Sequence, residues 1–218
     1  MTNRRTPPAR IDGARLGALL WIAQPLAILV ELVTVGQVRT PYSLVDSTIS
    51  EAGAVTCTKI AYGDGHLPVC SPLGWLLSAT TAASGLAVLI GALLVHRALP
   101  SGRIRLAATV TGILSGLSLV GTGLVPVDLY LDLHVLVALP QFLTFPLQLV
   151  LLAVVLRPLT RPTALISALA AALCLAGTVA FFARLSEPHG GGLLERLALW
   201  PYFLALLPLG VAVRRRSR

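Results

Sequence analysis

Six apolar stretches, at 16–35, 73–95, 104–125, 133–156, 163–183 and 193–213, set what this chain can fold into. Each runs to about 20 residues or slightly more, the length that carries an α-helix across a ~30 Å hydrocarbon core. In that medium each backbone N–H and C=O must find a partner within the protein, which a helix supplies from its own turns. Only 12% of the residues are charged, against about 25% in soluble domains, so six buried helices of a soluble protein are not an option. The expected fold class is all-α: a polytopic membrane protein, a six-transmembrane-helix bundle. A polar tail over 1–15, read as disordered, precedes the membrane domain at 16–213, and a basic tail over 214–218 follows it.

The first apolar run follows a basic segment, as a signal peptide would. Its length exceeds the ~7–15 residues of a signal core, and no small-x-small cleavage site follows, so an uncleaved span is expected. The net charge of +8 invites a nucleic-acid reading. The arginines, however, sit in short clusters between apolar runs rather than on a basic face interleaved with aromatics, so no nucleic-acid partner is expected. Thirteen of the 17 basic residues fall on one side if the amino terminus is inside, and only one of the nine acids, Asp12, joins them. The inner segments carry +12 and the outer segments −4, the asymmetry of a plasma-membrane protein with both termini cytoplasmic.

The long polar loop at 36–72 then lies outside, and it holds Cys57 and Cys70. A bridge between them is expected in that compartment; two free thiols or a metal pair remain the alternatives. Thr48-Ile49-Ser50-Glu51 has the spacing of a capping box and predicts a short helix in this loop. Gly112-x-x-x-Gly116 permits close helix approach, within the bundle or between copies, and oligomeric state stays open.

Ionisable residues at the edge of a hydrocarbon layer are paired, hydrated or used. Glu31 lies about one turn inside the first span. Asp128 and Asp132 precede the fourth, Asp128 as a candidate N-cap. Glu195 and Arg196 open the sixth. Arg196 is the expected partner of Asp128, Glu31 or Glu51. His134, Gln141 and Gln148 recur every seven residues and share one face of a helix. They read either as interhelical hydrogen bonding or as a polar cavity. No nucleotide, metalloprotease or nucleophile-elbow fingerprint is present. A single histidine among scattered carboxylates is a poor zinc set, so neither metal nor cofactor is expected.

Three short motifs in order, Ile49-Ser50-Glu51-Ala52-Gly53-Ala54, Gly123-Leu124-Val125-Pro126-Val127-Asp128 with His134, and Gly192-Leu193-Leu194-Glu195-Arg196-Leu197 with Trp200, give a resemblance. The chain resembles, from about Leu16 to Val213, the bacterial membrane family catalogued as domain of unknown function 998. More distantly it is similar to Frag1/DRAM/Sfk1-type membrane proteins, some of them linked to lipid remodelling or organisation. That group tends to carry adjacent histidines where this chain has one, which weakens the transfer of metal or catalytic roles. The resemblance implies a six-span architecture and a shared outer site.

The expected function is binding or acting on a membrane lipid at an acidic outer cavity. Its candidate residues are Glu31, Ser50, Glu51, Asp128, Asp132, His134, Gln141, Glu195 and Arg196. His134 is the candidate general base, oriented by Asp128 or Glu51. A small-solute transporter or channel along the His134–Gln141–Gln148 stripe is one alternative, and a non-catalytic assembly or sensor subunit is another.

Overall fold

The computed structural model describes residues 13–62, 65–183 and 190–216. The elements run α1 (Gly13–Ile22), α2 (Leu26–Val35), α3 (Ile49–Ala52), β1 (Thr58–Tyr62), β2 (Gly65–Val69), α4 (Gly74–Val95), α5 (Arg103–Leu124), α6 (Leu131–Leu156), α7 (Arg161–Ala183) and α8 (Gly191–Arg216). Among the described residues six spans are long and apolar enough to cross a membrane, with α1 and α2 together making the first. The protein is an all-α multi-pass membrane bundle. Consecutive spans pack side by side, and α8 returns to α1, which closes a ring.

The six apolar runs become helices because nothing inside them competes with the helical ladder except proline, and three of the prolines leave a visible trace. The first run is expected as one helix but forms two. Pro25 has no N–H, so the ladder breaks there, and turn-type bonds from Gln24 to Trp21 and from Leu26 to Ala23 carry the chain across. In α6, Pro146 frees the carbonyl of Phe142, which accepts from Thr178 Oγ1 at 3.1 Å. Near Pro140 the hydroxyl of Ser118 enters the ladder itself. It donates to the Val137 carbonyl and accepts from the Gln141 N–H at 3.1 Å, a recognised way of opening a helix.

The ring packs as membrane bundles do, with small residues where backbones meet and leucines facing outward. Leu29, Leu86, Leu117, Leu136, Leu143, Leu169 and Leu204 are all exposed. Gly116 faces α4, where an added Cβ would lie 2.6 Å from the Gly85 carbonyl, and Gly112 meets Ala92 and Gln148. The glycine motif therefore serves packing within the chain. The centre is aromatic: Phe145 stacks on Tyr202 with centroids 3.7 Å apart, beside buried Trp21, Leu149 and Leu206. Cys174 is also buried here.

The loop after α2 is more ordered than the sequence predicts. β1 and β2 pair antiparallel, Thr58 opposite Val69 and Tyr62 opposite Gly65. Cys57 and Cys70 flank the base of this hairpin and are joined by a disulfide. Ile60 and Val69 turn inward onto Ala54 and Val127 and make a second, smaller core. β propensity explains the omission: His66, Leu67 and Pro68 do not read as a strand, and the pairing partner and the bridge hold them in one. At the other end, Gly13–Arg15 and Arg214–Arg216 are helical, so the polar tails are shorter than expected. The rest of both tails, and His189 in the last loop, lie outside the described residues.

Candidate functional site

Helix α3 is one turn long, and its sequence accounts for it. Thr48 accepts from the Glu51 N–H, and Glu51 accepts from the Thr48 N–H, so both halves of the capping box are made. Burial pushes the Glu51 carboxyl above its ordinary range, against the bonds from Thr48 and the field of Arg196. The loop before α3 docks on the start of α8. Gly192 N–H donates to the Asp46 carbonyl and Leu193 N–H to Val45. Gly192 allows this approach, since a Cβ there would sit 2.1 Å from the Ser47 carbonyl oxygen. The α3 motif thus lies between the other two. It reaches the α8 motif through the Ile49 N–H, which donates to Glu195, and the α6 motif through Ser50 and Val55.

Arg196 lies at the centre of a closed knot and is 4% exposed. Its Nε donates to Glu31 at 2.9 Å, Nη1 to the carbonyls of Leu44, Ser47 and Gly192, and Nη2 to the Tyr42 hydroxyl. The second oxygen of Glu31 accepts from Trp200 Nε1 at 2.8 Å. Tyr42 and Trp200 also place their rings about the guanidinium, at 5.9 and 6.0 Å. Burial raises the Tyr42 phenol above its ordinary value. Of the three expected partners of Arg196, Glu31 is the one it pairs with; Asp128 and Glu51 are corrected, since Glu51 is occupied by its own cap and Asp128 bonds elsewhere. Glu31 is a paired group and does not reach for the headgroups.

Asp128 is neither the cap of α6 nor a partner of Arg196. Tyr130 precedes that helix and no side chain caps it. The Asp128 carboxylate instead accepts from the N–H groups of Val55 and Thr56, the latter at 2.8 Å, and from the Thr56 hydroxyl at 2.7 Å. It fastens the α5–α6 turn to the foot of the hairpin. Asp132 is exposed one turn further on.

Between these two clusters is a cavity of about 70 Å³, room for several waters at roughly 15 Å³ each. Glu31, Ser50, His134, Gln141 and Glu195 line it, together with apolar Ile28, Leu77, Leu119 and Phe203. Glu51, Asp128, Asp132 and Arg196 do not, so the cavity is less acidic than expected. Neither Asp128 nor Glu51 orients His134. Its Nδ1 meets the Val125 carbonyl and its Nε2 lies 2.9 Å from Ser50 Oγ. A carbonyl only accepts, so Nδ1 carries a proton, and in the neutral tautomer Nε2 then offers its lone pair to the serine hydroxyl. Gln141 is 3% exposed, faces the same cavity, and its Oε1 has no hydrogen-bond partner.

The polar stripe of α6 continues inward. Below Gln141 come the Phe145–Tyr202 stack and Gln148, which accepts from the Tyr202 hydroxyl at 2.6 Å. Sequence reasoning missed four contributors to the cavity wall, Ser78, Thr81 and Ser84 of α4 and Thr122 of α5. Their spacing of three puts the α4 residues near one face, a signal hidden by the Ala and Leu around them. Tyr42 and Trp200 of the knot were likewise not singled out as partners of Arg196.

A family model described as a protein of unknown function (DUF998) matches residues 21–212. No curated protein and no solved structure matches the chain.

Proposed function

We propose, since the chain belongs to the DUF998 family of multi-pass membrane proteins, that it binds a membrane lipid through the small polar cavity near α3. The observation that carries this reading is Gln141: an amide buried in a membrane bundle with an unpartnered oxygen facing a cavity. Leaving such a group unsatisfied costs about 1–3 kcal/mol, which an O–H or N–H donor on a ligand recovers. The cavity is too small for a whole lipid. A polar headgroup or glycerol-ester region enters, and the chains stay in the hydrocarbon, against walls that are already apolar.

In this reading the protein sits in the plasma membrane with both termini cytoplasmic and the hairpin end outside. The arginines support that orientation, because Arg97, Arg103, Arg105, Arg157, Arg161 and Arg214–Arg216 all follow or precede spans at the opposite end. A reporter that is active only outside the cytoplasm, fused after Arg218, is expected to stay silent; full activity would reverse the topology. For the lipid, protein extracted in mild detergent is analysed by mass spectrometry. The expected result is one lipid class retained above its share of the bulk membrane, and lost in Gln141→Leu. Equal retention by both proteins would remove the reading. Transport along the α6 stripe is disfavoured by the aromatic stack beneath Gln141.

A further inference from the structure

We infer that Ser50 is an acyl-accepting nucleophile and His134 its general base, acting on an ester-bearing lipid; this rests on the lipid reading above and gives the bound lipid a chemistry. The geometry is that of an activated hydroxyl. Ser50 Oγ lies 2.9 Å from His134 Nε2, within the reach a nucleophile–base pair requires. The far side of the ring is held by the Val125 carbonyl, which sets the tautomer that leaves Nε2 free to take a proton. A carboxylate does this orienting in the familiar triad; here a backbone carbonyl at the end of α5 does it. Both side chains line the cavity, so the pair points at the space a ligand would fill.

A serine–histidine bond buried in a bundle can also be simple interhelical glue. Two features separate this one. It opens onto a cavity rather than packed side chains, and Gln141, on the same wall, is left without a partner for its oxygen. That oxygen accepts a hydrogen bond from a hydroxyl or N–H of the bound lipid, which seats the lipid's ester beside the pair.

The chemistry balances with water as the second reactant. Ser50 Oγ forms a bond to the ester carbonyl carbon as its proton passes to His134 Nε2. The bond from that carbon to the lipid's alcohol oxygen breaks, and the departing oxygen takes the proton back from His134. An acyl ester on Ser50 and a free alcohol result. Water, deprotonated by the same nitrogen, then attacks the acyl carbon, releasing the fatty acid and restoring the serine. A second alcohol in place of water would make the reaction an acyl transfer.

The test uses purified full-length protein in nanodiscs and two fluorophosphonates, one with a short alkyl chain and one with a long chain. Adducts are located by peptide mass spectrometry, and bound lipid is measured on the same samples. The expected result is a single adduct on Ser50 of the unaltered protein, formed at least about 100-fold more slowly in His134→Gln and absent in Ser50→Ala. Because the adduct is mapped on the unaltered chain, a variant that folds poorly does not remove the test. Retained lipid with no Ser50 adduct from either probe would overturn the nucleophile and leave lipid binding standing. Absence of both would overturn the two together. A Ser50 adduct undiminished in His134→Gln would remove His134 as the base and with it the proposed pair.

Discussion

Two buried polar clusters lie within the same end of this bundle, and they are built to opposite specifications. Around Arg196 every guanidinium nitrogen is engaged: Glu31 uses both oxygens, three carbonyls meet Nη1 and a phenol meets Nη2. Around His134 and Gln141 it is not, because the cluster keeps a cavity and an orphaned amide oxygen. A charge in a low-dielectric interior is tolerable when its partners are all supplied. A polar group left open there is destabilising unless something else arrives to meet it. The first cluster is thus what holds the spans and loop together, and the second is where function is to be sought. Both draw on the same short motifs, so proximity alone would not separate them.

The largest expected effect falls on the closed cluster. Arg196→Leu should destabilise the protein by about 3–5 kcal/mol, because it leaves Glu31 buried without its cation. The thermal midpoint and the monodisperse yield in detergent measure this. Removing both partners together, in Glu31→Leu with Arg196→Leu, should recover part of the loss. Full stability in the single variant would break the comparison, since the knot would then not be structural.

A smaller loss is expected at the clamp outside both clusters. Asp128→Ala removes the acceptor of three N–H or O–H groups on Val55 and Thr56, worth about 1–2 kcal/mol at a site open to water. Hydrogen exchange should rise at Val55 and Thr56 and at the hairpin base, while the spans remain protected. Unchanged exchange there would mean that the disulfide and the Ile60–Val127 contact suffice. The smallest effect has the opposite sign. Gln141→Leu replaces an unsatisfied group by an apolar one of similar size, so the ligand-free protein should gain up to about 1 kcal/mol even as lipid is lost. A loss of stability comparable to that of Arg196→Leu would mean that the second cluster is architecture too.

Much of this molecule was readable before any fold was known. The spans are local: a run of apolar residues with an unbroken ladder must be a helix in hydrocarbon, whatever its neighbours do. The cap at Thr48 and Glu51 is equally local, being a matter of residues three apart. The disulfide followed from the compartment of the loop, and the convergence of the motifs from the parity of the spans. Proline breaks are local as well, but Pro25 was passed over because apolar residues resume directly after it and the run reads as one span.

Partner choice was not readable. Five carboxylates compete for Arg196 at one end of the bundle, and residue type cannot rank them. The packing of α2 against α8 brings Glu31 to it, Trp200 stands one turn along on α8, and the docking of residues 44–47 supplies two of the three carbonyls. His134 could be given its chemistry from its pKa class but not its partners, since Val125 and Ser50 arrive from a turn and from a loop 84 residues away. Secondary structure is settled within a turn or two of chain, where the physics is covalent geometry and solvent. A site is settled by which faces meet across the bundle, and that depends on small residues such as Gly116 and Gly192 letting particular backbones approach.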